Sequence, residues 1–127
     1  MFTLEFYETE NKIVPLKIFL DELMQDDKAL FAKVIRDMEL LESKGNLLRE
    51  PYTKPIEDGI FELRTKQSNN IVRVFFFFVV GKKIILTNGF VKKTNKTPKG
   101  EIEKAKEYKR NYERRKLWIF QITSKKY

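Results

Sequence analysis

Arg64 and Arg73 stand nine residues apart on what read as two neighbouring strands. A guanidinium is a planar fork that keeps its charge, and two of them on one sheet make a seat for phosphate oxygens. By the period-2 rule of strands, Glu62 shares a face with Arg64. It could act as a base or simply orient Arg64; a carboxylate crowded by cations is a weak base, which favours the second role. Lys54, Lys92 and Lys93 add ammonium groups. Crowded together, they would give up a proton more easily and one could serve as base or acid. Spaced apart, they are point-charge phosphate ligands. Tyr52 could stack on a ring, donate a proton or pack into its loop.

What is missing from the chain is equally informative. Its 127 residues include no cysteine and no histidine. Disulfides, zinc sites of the Cys/His type, Ser-His-Asp and Cys-His nucleophiles and a histidine general base are all excluded. No metal or cofactor is expected, so any chemistry rests on Lys, Arg, Asp, Glu, Tyr or the backbone. The net charge of +8 is unevenly spread. Residues 1–81 carry 11 Lys/Arg against 14 Asp/Glu, whereas residues 82–116 carry 13 against 4. A cationic last third on a nearly neutral body points to a polyanionic partner: nucleic acid, an acidic protein or an anionic membrane. No apolar run reaches the ~18 residues a membrane span needs. No signal peptide is visible, so a cytosolic protein is expected.

The elements that must position these side chains follow from periodicity. Phe2, Leu4 and Phe6 alternate with polar neighbours, as on a half-buried strand. Pro15 suits a first helical turn, and Leu16, Phe19, Leu20, Leu23 and Met24 form one helical stripe. A second helix is expected from about Lys28 to Lys44, on Leu30, Phe31, Val34, Ile35, Met38 and Leu41, with Gly45 ending it. Residues 46–59 hold two prolines and read as a loop. Strands are then expected at Ile60–Arg64, Ile71–Val80 and Lys83–Val91, with a turn at Ser68-Asn69-Asn70. The run Phe75–Phe78 is apolar on both faces and belongs in a central strand. Thr97-Pro98 marks a last helix reaching about Lys116, with Ile102, Ala105, Lys109 and Tyr112 along one side. Residues 117–127 stay unassigned; Leu117–Ile122 could be a strand or a packing extension. The expectation is one α+β domain over 1–127: about four antiparallel strands, helices on one face, in the order β-α-α-β-β-β-α.

Glu62-Leu63-Arg64, Arg73-Val74, and Lys92-Lys93-Thr94-Asn95-Lys96-Thr97-Pro98 at the end of a strand, in this order and spacing, resemble the phage-associated, HigB-like branch of the RelE toxin superfamily. The stretch Glu50-Pro51-Tyr52-Thr53-Lys54 is similar too, and the likeness covers about residues 2–115. It implies a RelE-like fold and the toxin of a type II toxin–antitoxin pair. Such a toxin enters the ribosomal A site and cleaves mRNA by attack of a 2′-hydroxyl on the adjacent phosphate. The implied partners are the ribosome, mRNA and a small antitoxin, often of helix-turn-helix fold; no membrane is implied. Such cleavage needs a base, a cation to steady the phosphorane and an acid for the leaving 5′ oxygen. Arg64, Arg73, Lys93, Lys54 and Glu62 become the candidate catalytic set. Tyr52, Lys92, Lys96 and Lys99 become candidate RNA contacts, and the later basic residues of the last helix candidate contacts to rRNA or an acidic antitoxin. In RelE-like toxins a basic residue often precedes the Leu-Arg pair, where this chain has Glu62, and this leaves the base unassigned.

Two other readings fit the same residues. A ParE-like toxin shares the architecture but targets DNA gyrase; retention of Arg64, Arg73 and Lys93 argues against it. A non-catalytic RNA- or ribosome-binding module would use the same basic face.

Overall fold

The computed structural model describes residues 1–92 and 98–125, with the backbone alone at Phe120 and residues 123–125. The order is β1 (Thr3–Phe6), α1 (Pro15–Asp26), α2 (Lys28–Lys44), a 3₁₀ turn (Gly45–Leu47), β2 (Thr53–Glu57), β3 (Ile60–Gln67), β4 (Asn70–Val79), β5 (Lys83–Lys92) and α3 (Lys99–Lys125).

The helical hairpin forms where periodicity places it. Pro15 opens α1, and Leu16, Leu20 and Leu23 are buried; Met24, expected in the stripe, is exposed instead. A single residue, Asp27, separates the helices. Its carboxylate accepts from the Leu30 amide at 3.1 Å and caps α2. Leu30, Val34, Met38 and Leu41 are buried. Gly45 ends α2 at φ +55°, and a Cβ there would fall inside the Phe2 ring. Glycine is therefore required twice over, by conformation and by space.

The sheet has five strands, not four, in the order β1-β5-β4-β3-β2. The added strand, β2, lies within the stretch expected to be a loop. Pro55 reads against a strand, yet an edge strand tolerates it, and Asp58 and Gly59, both at positive φ, make the two-residue turn into β3. β2 to β5 pair antiparallel as expected, but β1 runs parallel to β5, Thr3 opposite Lys83. The sheet is therefore mixed, and the element order has one strand more than the RelE-like order expected. β4 is central, with Phe75, Phe76 and Phe77 buried.

The helices do not share one face. α1 and α2 pack on Leu63, Val72, Val74, Phe76, Ile84 and Leu86. α3 covers the opposite face, where Tyr112 meets Phe77 and Ile85, and Ala105 and Ile102 meet Ile60 and Phe75. Alternation along β3–β5 explains this: both faces of these strands are apolar, so both require cover. Leu117–Ile122, left unassigned from sequence, continues α3 as helix to Lys125. The expected Thr97 cap lies outside the described residues.

Candidate functional site

Four strands bring the site together on the α3 face. The β3–β4 register sets Arg64 opposite Arg73, and the β4–β5 register sets Arg73 opposite Phe90 and Ile71 opposite Lys92. The β2–β3 register sets Lys54 opposite Glu62. Alternation then puts Lys54, Glu62, Arg64, Arg73 and Lys92 on one side of the sheet.

Glu62 is the hub. It is fully buried, and its Oε1 accepts a charge-assisted hydrogen bond from the Arg73 guanidinium, itself only 4% exposed. Arg64 Nε lies 3.8 Å from the same oxygen, at ion-pair range, and its side chain is about one-third exposed at 31%. Directly opposed like charges destabilise a ladder, and the shared carboxylate offsets that here. Glu62 Oε2, Arg64 Nε and Arg73 Nε are buried atoms with no hydrogen-bond partner. Unmet buried hydrogen-bonding capacity is costly.

Lys92 is buried at the end of β5. Its ammonium is held below the ordinary lysine value, first by burial and then by the positive charges of Arg73, Arg64 and Lys54, with Glu62 opposing. Burial and Arg73, rather than crowding among the lysines, are the main causes, with Lys54 the smallest. Lys54 is exposed across the ladder from Glu62, and Tyr52 is exposed just before β2, its carbonyl accepting from the Arg64 amide at 2.7 Å. Lys99 is exposed in the first turn of α3. Lys93 and Lys96 lie outside the described residues.

The sequence reading passed over a bulge in β5. Thr87 and Asn88 fall where the β4–β5 register shifts between Val74 and Phe76. Thr87 Oγ1 donates to Asn88 Oδ1 at 2.8 Å, and Asn88 Nδ2 donates to Glu101 Oε2 at 3.0 Å and to its carbonyl at 3.1 Å. This tethers the first turn of α3 beside the site. The available signal was a Thr-Asn pair inside an apolar strand. Farther along α3, several cations turn inward: Lys106 pairs with Glu57 at 2.8 Å, Lys109 stands over Phe77 and Arg115 over Tyr7. These three dock the helix rather than presenting free charge to a partner.

The set thus offers two guanidiniums, one ammonium held below its ordinary value and one exposed lysine around a single carboxylate. The chemistry of this set is suited to an anion such as a phosphodiester. Among the described residues, no group of three or more His, Cys, Asp or Glu could hold a metal ion, and no helix is long and apolar enough to cross a membrane. The family model described as "Phage derived protein Gp49-like (DUF891)" matches residues 19–110, a span containing every described residue of the site. No curated protein matches the chain.

Proposed function

The chain belongs to the Gp49-like family, a family of toxin–antitoxin toxins related to RelE-type toxins, and on that premise we propose that it is a ribosome-dependent mRNA endoribonuclease of the HigB-like kind, acting as a single domain. The observation that carries the reading is the excess of cations around one buried carboxylate. Even with Lys92 neutral, Arg64, Arg73 and Lys54 exceed the charge of Glu62, and an anion such as a phosphodiester balances them.

In this reading Glu62 is spent on orienting Arg73 and is not the base. The two guanidiniums hold the non-bridging oxygens and steady the phosphorane. Lys92, in its deprotonated form, takes the 2′-hydroxyl proton. The 2′ oxygen bonds to phosphorus, the bond to the 5′ oxygen breaks, and Lys54 returns a proton to that oxygen. The products are a 2′,3′-cyclic phosphate and a 5′-hydroxyl. No metal or cofactor enters these steps. Tyr52, Lys99 and, from the sequence, Lys93 and Lys96 position the RNA. The protein's partners are then mRNA on the ribosome and a neutralising antitoxin, in the cytoplasm.

The test is induction in cells with mapping of transcript 5′ ends. Cuts inside translated codons, dependent on translation, support the reading. Intact messages with a supercoiling defect would replace it with gyrase inhibition. Intact messages on arrested ribosomes would replace it with ribosome binding alone.

A further inference from the structure

β2 begins at Thr53, opposite Leu63, while β3 continues to Gln67. The Arg64 amide still donates to the Tyr52 carbonyl, but beyond it, among the described residues, no strand pairs with the end of β3 on that side. The gap opens a groove around the edge of the sheet, between the end of β3 and α2. Lys33, Arg36, Leu40, Tyr52, Arg64 and Lys66 line it. Its four cations outnumber the two carboxylates, Asp37 and Glu39. Asp37 is buried and already accepts from Thr65 Oγ1 at 2.7 Å. The Tyr52 ring is 41% exposed.

An aromatic ring and a leucine edged by cations suit a stacked base with its phosphate on the rim. Arg64 is common to both places: it lines the groove, and its Nε faces Glu62 in the cation cluster. A strand held at the cluster is thereby led over the sheet edge into the groove. We propose that this groove is a second RNA subsite, holding a nucleotide that flanks the scissile bond. Its base lies against Tyr52 and Leu40, and its phosphate meets Arg36 and Lys66. The inference rests on the nuclease reading and adds residues of α2 to the RNA path.

The test uses fluorescein-labelled, 2′-O-methylated oligoribonucleotides, which bind without being cut. Lengthening the probe from two to four nucleotides should tighten binding by roughly fivefold to a hundredfold, the range for one stacked base. Arg36→Glu combined with Lys66→Glu should abolish that gain and flatten the salt dependence by about two charges' worth. Tyr52→Ala should lose the gain and Tyr52→Phe restore it, since the ring stacks and the hydroxyl does not. Melting curves establish that each variant is folded. If the charge-reversed variant keeps the full length-dependent gain, the subsite is refuted. Length-independent binding in the wild type that an acidic peptide competes away also refutes it, and makes the groove a protein-docking surface. Cleavage on programmed ribosomes, measured in parallel, separates the two readings. A wild type that cuts but shows no length gain sinks only the groove. A wild type that shows the gain but never cuts sinks the nuclease.

Discussion

Arg64 and Arg73 are directly opposed across the β3–β4 ladder, and both guanidiniums turn to one carboxylate oxygen of Glu62. The two arginines nonetheless differ in kind. Arg73 is buried with Glu62, whereas Arg64 sits at the rim with part of its side chain in solvent. Their variants should separate accordingly.

Removing Arg73 leaves the buried Glu62 charge with the longer 3.8 Å contact to Arg64 Nε in place of its hydrogen-bonded partner. Because Arg73 and Glu62 are buried together, the loss of Arg73 bears on the fold as well as on the site. Breaking such a pair costs about 3–5 kcal/mol. Arg73→Ala is expected to melt early, and Arg73→Ala with Glu62→Gln to recover most of the stability while cleavage stays down about a hundredfold to a thousandfold. Arg73→Lys should restore part of the rate, because it keeps the charge and loses the fork. Denaturant curves and single-turnover cleavage on programmed ribosomes check this. A double variant that regained cleavage as well as stability would make Arg73 purely structural.

Arg64→Ala should be a cleaner lesion. Arg64 is 31% exposed, its 3.8 Å contact is longer than a hydrogen bond, and Glu62 keeps its bond from Arg73, so the loss in stability should be small, about 1 kcal/mol. The rate loss should still be about a hundredfold or more if Arg64 steadies the phosphorane. Wild-type cleavage by folded Arg64→Ala would remove it from the chemistry.

Lys92 gives a pH signature. Its value in the folded protein lies below the ordinary 10.5, because of burial first and neighbouring cations second. Between the folded and unfolded values the unfolded chain binds more protons. Stability should therefore rise with pH across that window, and below the folded value the full penalty applies. Lys92→Met should flatten this rise. Cleavage should also increase with pH through the lowered value, as the neutral amine becomes available. A pH–rate profile of the wild type that rises only at the ordinary lysine value would exclude Lys92 as the base.

Metal should not enter the cleavage step. The positive charge a metal would bring to the phosphate is already supplied by Arg64 and Arg73. With ribosomes kept intact, exchanging Mg²⁺ for other divalent ions should not change the chemical rate. A phosphorothioate substrate rescued by a thiophilic ion would show the opposite.

Much of this architecture was legible because it is written locally. The stripes of Leu16, Leu20 and Leu23 and of Leu30, Val34, Met38 and Leu41 have helical spacing. The meeting of Arg64 with Arg73 followed from a short turn at Ser68-Asn69, which fixes the register. What escaped was set at long range. β2 was hidden by Pro55, whose cost vanishes at a sheet edge. The parallel placement of β1 depends on β5, far along the chain, and nothing near Thr3 announces it. The second face of the sheet was implied by Phe75 and Phe77, but α3's few apolar residues understated how much Tyr108, Tyr112 and the stems of inward-turned cations would cover. The groove beside α2 was invisible because it arises from where a strand starts.

The pairing of β1 with β5 sets a schedule for synthesis. Thr3 leaves the ribosome 80 residues before its ladder partner Lys83, and Tyr7 waits longer for Asn111, to which its hydroxyl donates at 2.6 Å. The hairpins carrying Glu62, Arg64, Arg73 and Lys92 close over a few residues each, so they can pair as they emerge. Of these five strands the earliest in the chain is thus the last secured. Until β5 has emerged, β1 has no strand to pair with, and it is exposed to wrong strand pairing for most of the translation of this domain.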